Sequence, residues 1–144
     1  MYNEESQLTR CLRLAFAQQV PFYEIIVVDN NSTDATRSIA RQFDGVRVVQ
    51  ESRQGVVHAR SRGFDEATGD VIARIDADTR MPSDWTTHMH RMFTDASVQA
   101  ISGSITYDDI SCAAVVDAVD LRIRGWLSKK MPAHRYLLGS NMAI

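Results

Sequence analysis

The chain of 144 residues is long enough for one domain with a hydrophobic core, and 44% apolar against 24% charged residues is the balance of a soluble globular protein. A net charge of −2, from 16 basic and 18 acidic side chains, lacks the basic excess that nucleic-acid binding draws on. The longest apolar stretches, such as Ile25 to Val28 and Ala113 to Val116, fall far short of the roughly 20 residues that span a bilayer.

In chain order, Asn3 is expected to cap a helix from Glu4 to Gln19, with Leu8, Leu12, Ala15 and Phe16 as its apolar stripe and Pro21 as its stop. Glu24 to Asp29 is a β-branched run without alternation, as expected of a strand buried on both faces. The polar turn Asn30 to Asp34 offers Ser32 as cap for a helix through Phe43, and Val46 to Gln50 reads as a second strand. Gln54 to Ala67 has a helical pattern closed by Gly69, and Asp70 to Asp76 reads as a third strand. Pro82 opens a helix to about Asp95 with Trp85, Met89, Met92 and Phe93 on its apolar side, and Val98 to Tyr107 is a further strand. Ser111 to Lys130 is an amphipathic helix with a basic end. It either packs on the sheet with a solvated face or offers a surface to a membrane or a lipid-linked acceptor.

Strands alternating with helices at this pitch give an α/β fold with a parallel sheet and right-handed crossovers, whose ligands sit beyond the carboxyl ends of the strands. Asp29 and Asp76 close two of those strands and so arrive at the same edge. The chain opens with a helix where such a sheet normally opens with a strand. Either a strand precedes Met1 or the sheet lacks its first member.

The sharpest chemical signal is Asp76-Ala77-Asp78 after an apolar strand. Two carboxylates at a sheet edge suit a hard divalent cation that bridges to substrate phosphates, and without a cation they would repel a phosphate. The blander reading is a polar loop capping the next helix. Asp29 to Asp34 carries oxygen side chains at calcium-loop spacing, but Asp34 stands where the loop wants Gly and Ala40 where it wants a bidentate Glu. A nucleoside site or a plain strand-to-helix turn both fit it. Gln54-Gly55 permits close backbone approach, and Arg60 and Arg62 lie in the helix that follows. His88 and His90 stand two apart on a helix and share no face, while His58 and His134 read as structural. Cys11 and Cys112 have neither metal-ligand spacing nor a disulfide framework around them, which points to a reduced, cytoplasmic domain.

The ordered set Tyr2-Asn3-Glu4-Glu5, EIIVVDNNSTDAT from Glu24, Gln54-Gly55 with Ala59-Arg60, ATGDVIARIDADT from Ala67, and GSNMAI from Gly139 resembles glycosyltransferase family 2. The resemblance implies a GT-A (Rossmann-like) fold, a mostly parallel sheet flanked by helices, that binds a UDP- or GDP-sugar with Mg²⁺ or Mn²⁺. It implies transfer of the sugar with inversion to an acceptor hydroxyl on a saccharide or lipid-linked acceptor. Tyr2 would lie against the base, Asp29 would hold base or ribose, Asp76 would face the ribose, and Glu4 and Arg60 would belong to the same nucleotide side. Asp78 would hold the metal, and Gly139, Ser140, Asn141 and Met142 would line the acceptor side. It also implies a domain truncated at both ends: a proline-bearing first strand would precede Tyr2, and the general base would lie beyond Ile144. Ser61 departs from the family, which often has Asn there. The enzyme would work in the cytoplasm or at the inner face of the membrane.

Two alternatives stand beside this reading. A haloacid-dehalogenase-type phosphatase wants Thr four residues after its first Asp, whereas Thr79 is three after Asp76. A non-catalytic nucleotide-sugar-binding fragment would carry the same donor motifs without the base.

Overall fold

A computed structural model of the protein describes residues 1–103, 118, 122 and 141–144. Among them run α1 (Glu5–Phe16), β1 (Ile25–Asp29), α2 (Thr36–Ala40), β2 (Val46–Gln50), α3 (Val56–Glu66), β3 (Ala73–Ile75), α4 (Trp85–Met92), β4 (Ile101–Ser102) and β5 (Asn141–Ala143). The expected strand at 46–50 has its expected bounds, while most other elements are shorter than their sequence patterns. The amphipathic segment 111–130 lies outside the described residues except for residues 118 and 122, as do Cys112, His134, Gly139 and Ser140. No helix among the described residues is long and apolar enough to cross a membrane.

β1 and β2 pair in parallel, from Ile25 opposite Val46 to Asp29 opposite Gln50, with α2 as the crossover. β3 does not continue that sheet. It pairs antiparallel with β5, which pairs antiparallel with β4 on its other side. The returning segment Asn141–Ala143 lies between β3 and β4, a long-range antiparallel pairing that local pattern does not encode.

Leu8 and Leu12 of α1, Val27 of β1 and Ala40 of α2 form the buried core, with Ile25, Ile39, Phe43, Val46 and Val48 packed against it. Alternation along β1 turns Val28 to the opposite side, where its methyl lies 3.5 Å from the point at which a Cβ on Gly63 of α3 would stand. β1 is thus covered on both faces, as its β-branched run predicts. In the α1 stripe, Cys11 is buried while Phe16 stays half exposed and stacks on Phe43 with ring centroids 6.1 Å apart. In α4, Thr86 is the buried residue and Met92 is exposed, which corrects the expected Met92 face.

The helix caps also differ from expectation. Asn3 has φ 54° and does not cap α1; its side-chain oxygen accepts from the Thr33 N–H at 2.9 Å. The Glu4 and Glu5 N–H groups instead donate to Thr36 Oγ1 at 2.7 Å and Asp34 Oδ2 at 3.1 Å, both on the following turn. Glu5 returns the bond by accepting from the Ala35 N–H, and Asp34, not Ser32, caps α2 through the Thr36 N–H. At the far end of α1, buried Gln18 accepts from the Thr86 N–H at 3.1 Å and donates to the Pro82 carbonyl at 2.9 Å, fixing the start of α4.

Thr36 is fully buried, so Thr36→Val keeps the shape and leaves the Glu4 N–H without its acceptor. The expected cost is about 1–2 kcal/mol. It would be read as a lower urea midpoint at unchanged m-value.

Candidate functional site

The carboxyl ends of β1 and β3 meet beside Met1. The Met1 amino group donates to the Val28 carbonyl at 2.7 Å and the Met1 carbonyl accepts from the Asn30 N–H at 2.9 Å, so Met1 sits as a ladder residue beside Asp29. This places Tyr2 and Glu4 over the strand ends, with Tyr2 half exposed. Burial and then the negative charge of Asp78 raise the Glu4 carboxyl above its ordinary value, with Asp34 and Asp76 adding to the effect and the Met1 ammonium opposing it. Glu4, Asp76 and Asp78 therefore share one electrostatic neighbourhood. Cys11 lies behind the loop, its Sγ 3.9 Å from the Asp76 carbonyl, and burial with the nearby Asp78 and Glu4 charges pushes its thiol up to about 11. It is a packed, protonated thiol and not a nucleophile.

Asp29 is placed differently from a solvent-facing ligand group. Its side chain is fully buried, Oδ1 accepts from the Ser32 N–H at 3.1 Å, and Oδ2 accepts from Arg37 Nε at 2.8 Å and Nη2 at 2.5 Å. Burial pushes this carboxyl up, but the bonds from Ser32 and Arg37 outweigh it and hold the group below its ordinary value. Asp76 is partly open, with Arg60 Nη2 at 3.6 Å from its Oδ1, and Asp78 is exposed. β5 runs alongside, with Asn141 opposite Ile75 and Met142 opposite Arg74, so the backbone at Asn141 reaches the Asp76 end of β3.

Two residues were not singled out by sequence reasoning. Asn30 is buried; its Nδ2 donates to the Glu51 carbonyl at 2.9 Å and the Arg53 carbonyl at 2.7 Å, and its Oδ1 accepts from the Gly55 N–H at 2.8 Å. It fastens the end of β1 to the loop that starts α3, where Gly55 holds a φ of 133° that a side chain would strain. Its place one residue after a strand-end Asp is the only sequence signal. Arg74 on β3 has buried Nε and Nη2 atoms with no hydrogen-bond partner among the described residues, and burial, reinforced by Arg60, lowers its pKa. Such a guanidinium suits an anion.

Tyr2, Glu4, Asn30, Arg60, Asp76 and Asp78 all line one end of a cavity of about 680 Å³. The size is that of a small-ligand pocket. These polar groups gather at the carboxyl termini of the strands, while Glu24 and Arg74 also line the cavity and much of the remaining wall is apolar. Among the described residues no three His, Cys, Asp or Glu side chains are grouped to hold a metal by themselves.

The family model described as glycosyl transferase family 2 matches residues 1–129. Glycosyltransferase AglE of Haloferax volcanii is 30% identical over 114 residues, which are 74% of this chain and 38% of that protein. The dolichol-phosphate mannosyltransferase of Pyrococcus furiosus is 38% identical over 86 residues, covering 56% of this chain and 24% of its own length. The chain thus spans well under half of these curated relatives. Mannosyltransferase PcManGT from Pyrobaculum calidifontis, solved in complex with GDP-Man and Mn²⁺, superposes with TM-score 0.76 at 24% identity, over 100% of this chain and 42% of that one. Glucosyl-3-phosphoglycerate synthase from Mycobacterium tuberculosis, solved with Mn²⁺, UDP-Glc and phosphoglyceric acid, gives TM-score 0.70 at 22% identity, over 99% and 53%. These likenesses show the fold, an α/β arrangement of the GT-A type.

The loop behind Asn30 has a pH signature. Bonds from the Arg53 side chain and N–H hold the Glu51 carboxyl down from 4.5 to about 2. A carboxyl depressed on folding stabilises the native state above its unfolded value, and that stability is lost as pH falls toward the folded value. The unfolding free energy should therefore decline between pH 4.5 and about 2, and Glu51→Gln should flatten that part of the profile. An unchanged slope in chemical denaturation across this window would show that the pair contributes nothing.

Proposed function

We propose, for a chain that belongs to glycosyltransferase family 2, that the strand-end residues bind a nucleotide-diphosphate sugar and that the protein transfers its sugar to an acceptor hydroxyl with inversion. The convergence of Tyr2, Glu4, Arg60, Asp76 and Asp78 at one end of the cavity carries this reading. Tyr2, half exposed beside the site, offers a ring for the base, and Asp76 faces the ribose. Asp29 serves the nucleoside end from beneath: buried on Arg37 and Ser32, it fixes the turn Asn30 to Asp34. Arg60 and the unpartnered Arg74 nitrogens supply positive charge for the diphosphate.

The donor set fits a hard divalent cation. Mg²⁺ and its like take one or two protein carboxylates and complete their shell with substrate phosphates and water. Asp78, with Asp76 beside it, provides that number, and the raised Glu4 carboxyl marks negative charge that a cation would relieve. Bound there, Mg²⁺ or Mn²⁺ would supply positive charge against the leaving diphosphate. The two solved structures with Mn²⁺ and a GDP- or UDP-sugar support the same assignment.

In the transfer itself the acceptor oxygen bonds to the anomeric carbon, the bond from that carbon to the diphosphate oxygen breaks, and the hydroxyl proton passes to a carboxylate base. The family resemblance implies a base downstream of the GSNMAI segment. Gly139 to Met142 form the acceptor side, Asn141 and Met142 lying on the strand beside Asp76. A saccharide or lipid-linked acceptor, and work in the cytoplasm or at the inner face of a membrane, belong to the same proposal. The basic end at Arg122, Arg124, Lys129 and Lys130 supports it.

Thermal-shift titration with a panel of UDP- and GDP-sugars, with and without Mn²⁺, tests this reading, because a ligand of the native state raises the melting temperature. Asp78→Asn should weaken nucleoside-diphosphate binding in Mn²⁺ by about tenfold or more while nucleoside binding changes little. Equal losses for both ligands would make Asp78 structural and sink the metal assignment.

A further inference from the structure

Tyr2 and Glu4 line the cavity, and Asn3 between them does not. Asn3 takes a left-handed backbone, φ 54°, a conformation that asparagine adopts more readily than most residues with a side chain. Its carboxamide turns away to the segment Asn30 to Asp34 and uses both ends on Thr33. Oδ1 accepts from the Thr33 N–H at 2.9 Å, and Nδ2 donates to Thr33 Oγ1 at 3.2 Å. The Asn3 N–H adds a bond to Ser32 Oγ at 3.1 Å. One residue thus grips two successive residues of the turn with backbone and side chain together.

The span it holds is short and lies between two anchors. On one side the Met1 carbonyl accepts from the Asn30 N–H, and on the other the Glu4 and Glu5 N–H groups donate to Thr36 and Asp34. Tyr2 and Asn3 stand between. Tyr2 is half exposed and, among the described residues, makes no hydrogen bond of its own. The Met1 bond sets where this span begins, and Asn3 sets how it turns, so the place of the Tyr2 ring follows from a side chain that faces the other way. The Asn3 bonds lie at the surface, where water competes for every donor and acceptor. They add little to folding stability; what they restrict is geometry.

We propose that Asn3 is a positioning residue for the nucleoside half of the donor: its grip on Thr33 holds the Tyr2 ring at the strand ends before a ligand arrives. This rests on the donor reading above, in which Tyr2 offers its ring to the base. Asn3 itself touches no ligand. A ligand that meets the ring already in place spends no affinity on ordering it. When only a fraction of the molecules holds the ring in place, the apparent affinity falls by that fraction. The effect is unequal along the donor. The base depends on Tyr2, whereas the diphosphate depends on Asp78, Arg60 and Arg74, none of which bonds to Asn3 or Thr33 among the described residues.

The test uses Asn3→Gly, which keeps the left-handed backbone accessible and removes the carboxamide, and Thr33→Val, which removes Oγ1 and keeps the N–H. Titrations with UDP and GDP in Mn²⁺, beside inorganic pyrophosphate in Mn²⁺, read the two halves of the site well below the melting temperature of each variant. Asn3→Gly should lower the affinity for the nucleoside diphosphate that the parent protein binds by about tenfold and leave pyrophosphate within about twofold. Thr33→Val should cost less, and the double variant no more than Asn3→Gly, because both changes remove one interaction. In a Tyr2→Ala background Asn3→Gly should cost nothing further, since no ring is left to hold. Equal losses for nucleoside diphosphate and pyrophosphate, or an undiminished loss in the Tyr2→Ala background, would overturn the proposal. Unchanged nucleoside-diphosphate affinity in Asn3→Gly would overturn it too and leave the donor reading standing. A parent protein that binds neither UDP nor GDP would sink the donor reading and this role with it.

Discussion

The carboxamide of Asn30 joins segments of the molecule that are distant in sequence. It is buried, and its donors and acceptor are spent on the Glu51 and Arg53 carbonyls and the Gly55 N–H, while its own N–H holds Met1. Buried amides of this kind are stable only when every polar atom has a partner, so the end of β1, the loop after β2 and the entry to α3 are fixed as a set. The position of Tyr2 and Glu4 over the site follows from the Met1 bond, and the position of Arg60 follows from the start of α3 at Gly55.

Charge is distributed around this frame in two layers. Beneath it, Asp29 is neutralised by Arg37 and holds the turn, a buried pair whose worth lies in geometry more than in net stability. Above it, Glu4, Asp76 and Asp78 crowd together with Arg60 near Asp76, and the pKa of Glu4 rises under burial and its acidic neighbours. That surplus of negative charge is tolerable at a partly open strand end, and a cation with a diphosphate would balance it.

The cavity has two characters along its length. Its polar end has the place and chemistry of a ligand site in an α/β sheet. Its inner part is walled by strand edges and apolar helix residues.

By itself the sequence determined the order of helices and strands, the span 46–50, the strand-end acids Asp29 and Asp76, and the family, because each rests on local period, local turn chemistry or contiguous motif. Tertiary structure decided what depends on partners far along the chain. Thr36 and Asp34 cap α1, Gln18 caps α4, and β5 inserts between β3 and β4. Asn3 has the composition of a cap but a left-handed backbone that turns its side chain to Thr33. Asp29 has the place of a ligand group, yet Arg37, eight residues on, folds back over it and buries its carboxylate. A hydrogen bond is directional and short, so the residue that satisfies a given donor is whichever one the packing brings within about 3 Å, and no local pattern specifies that.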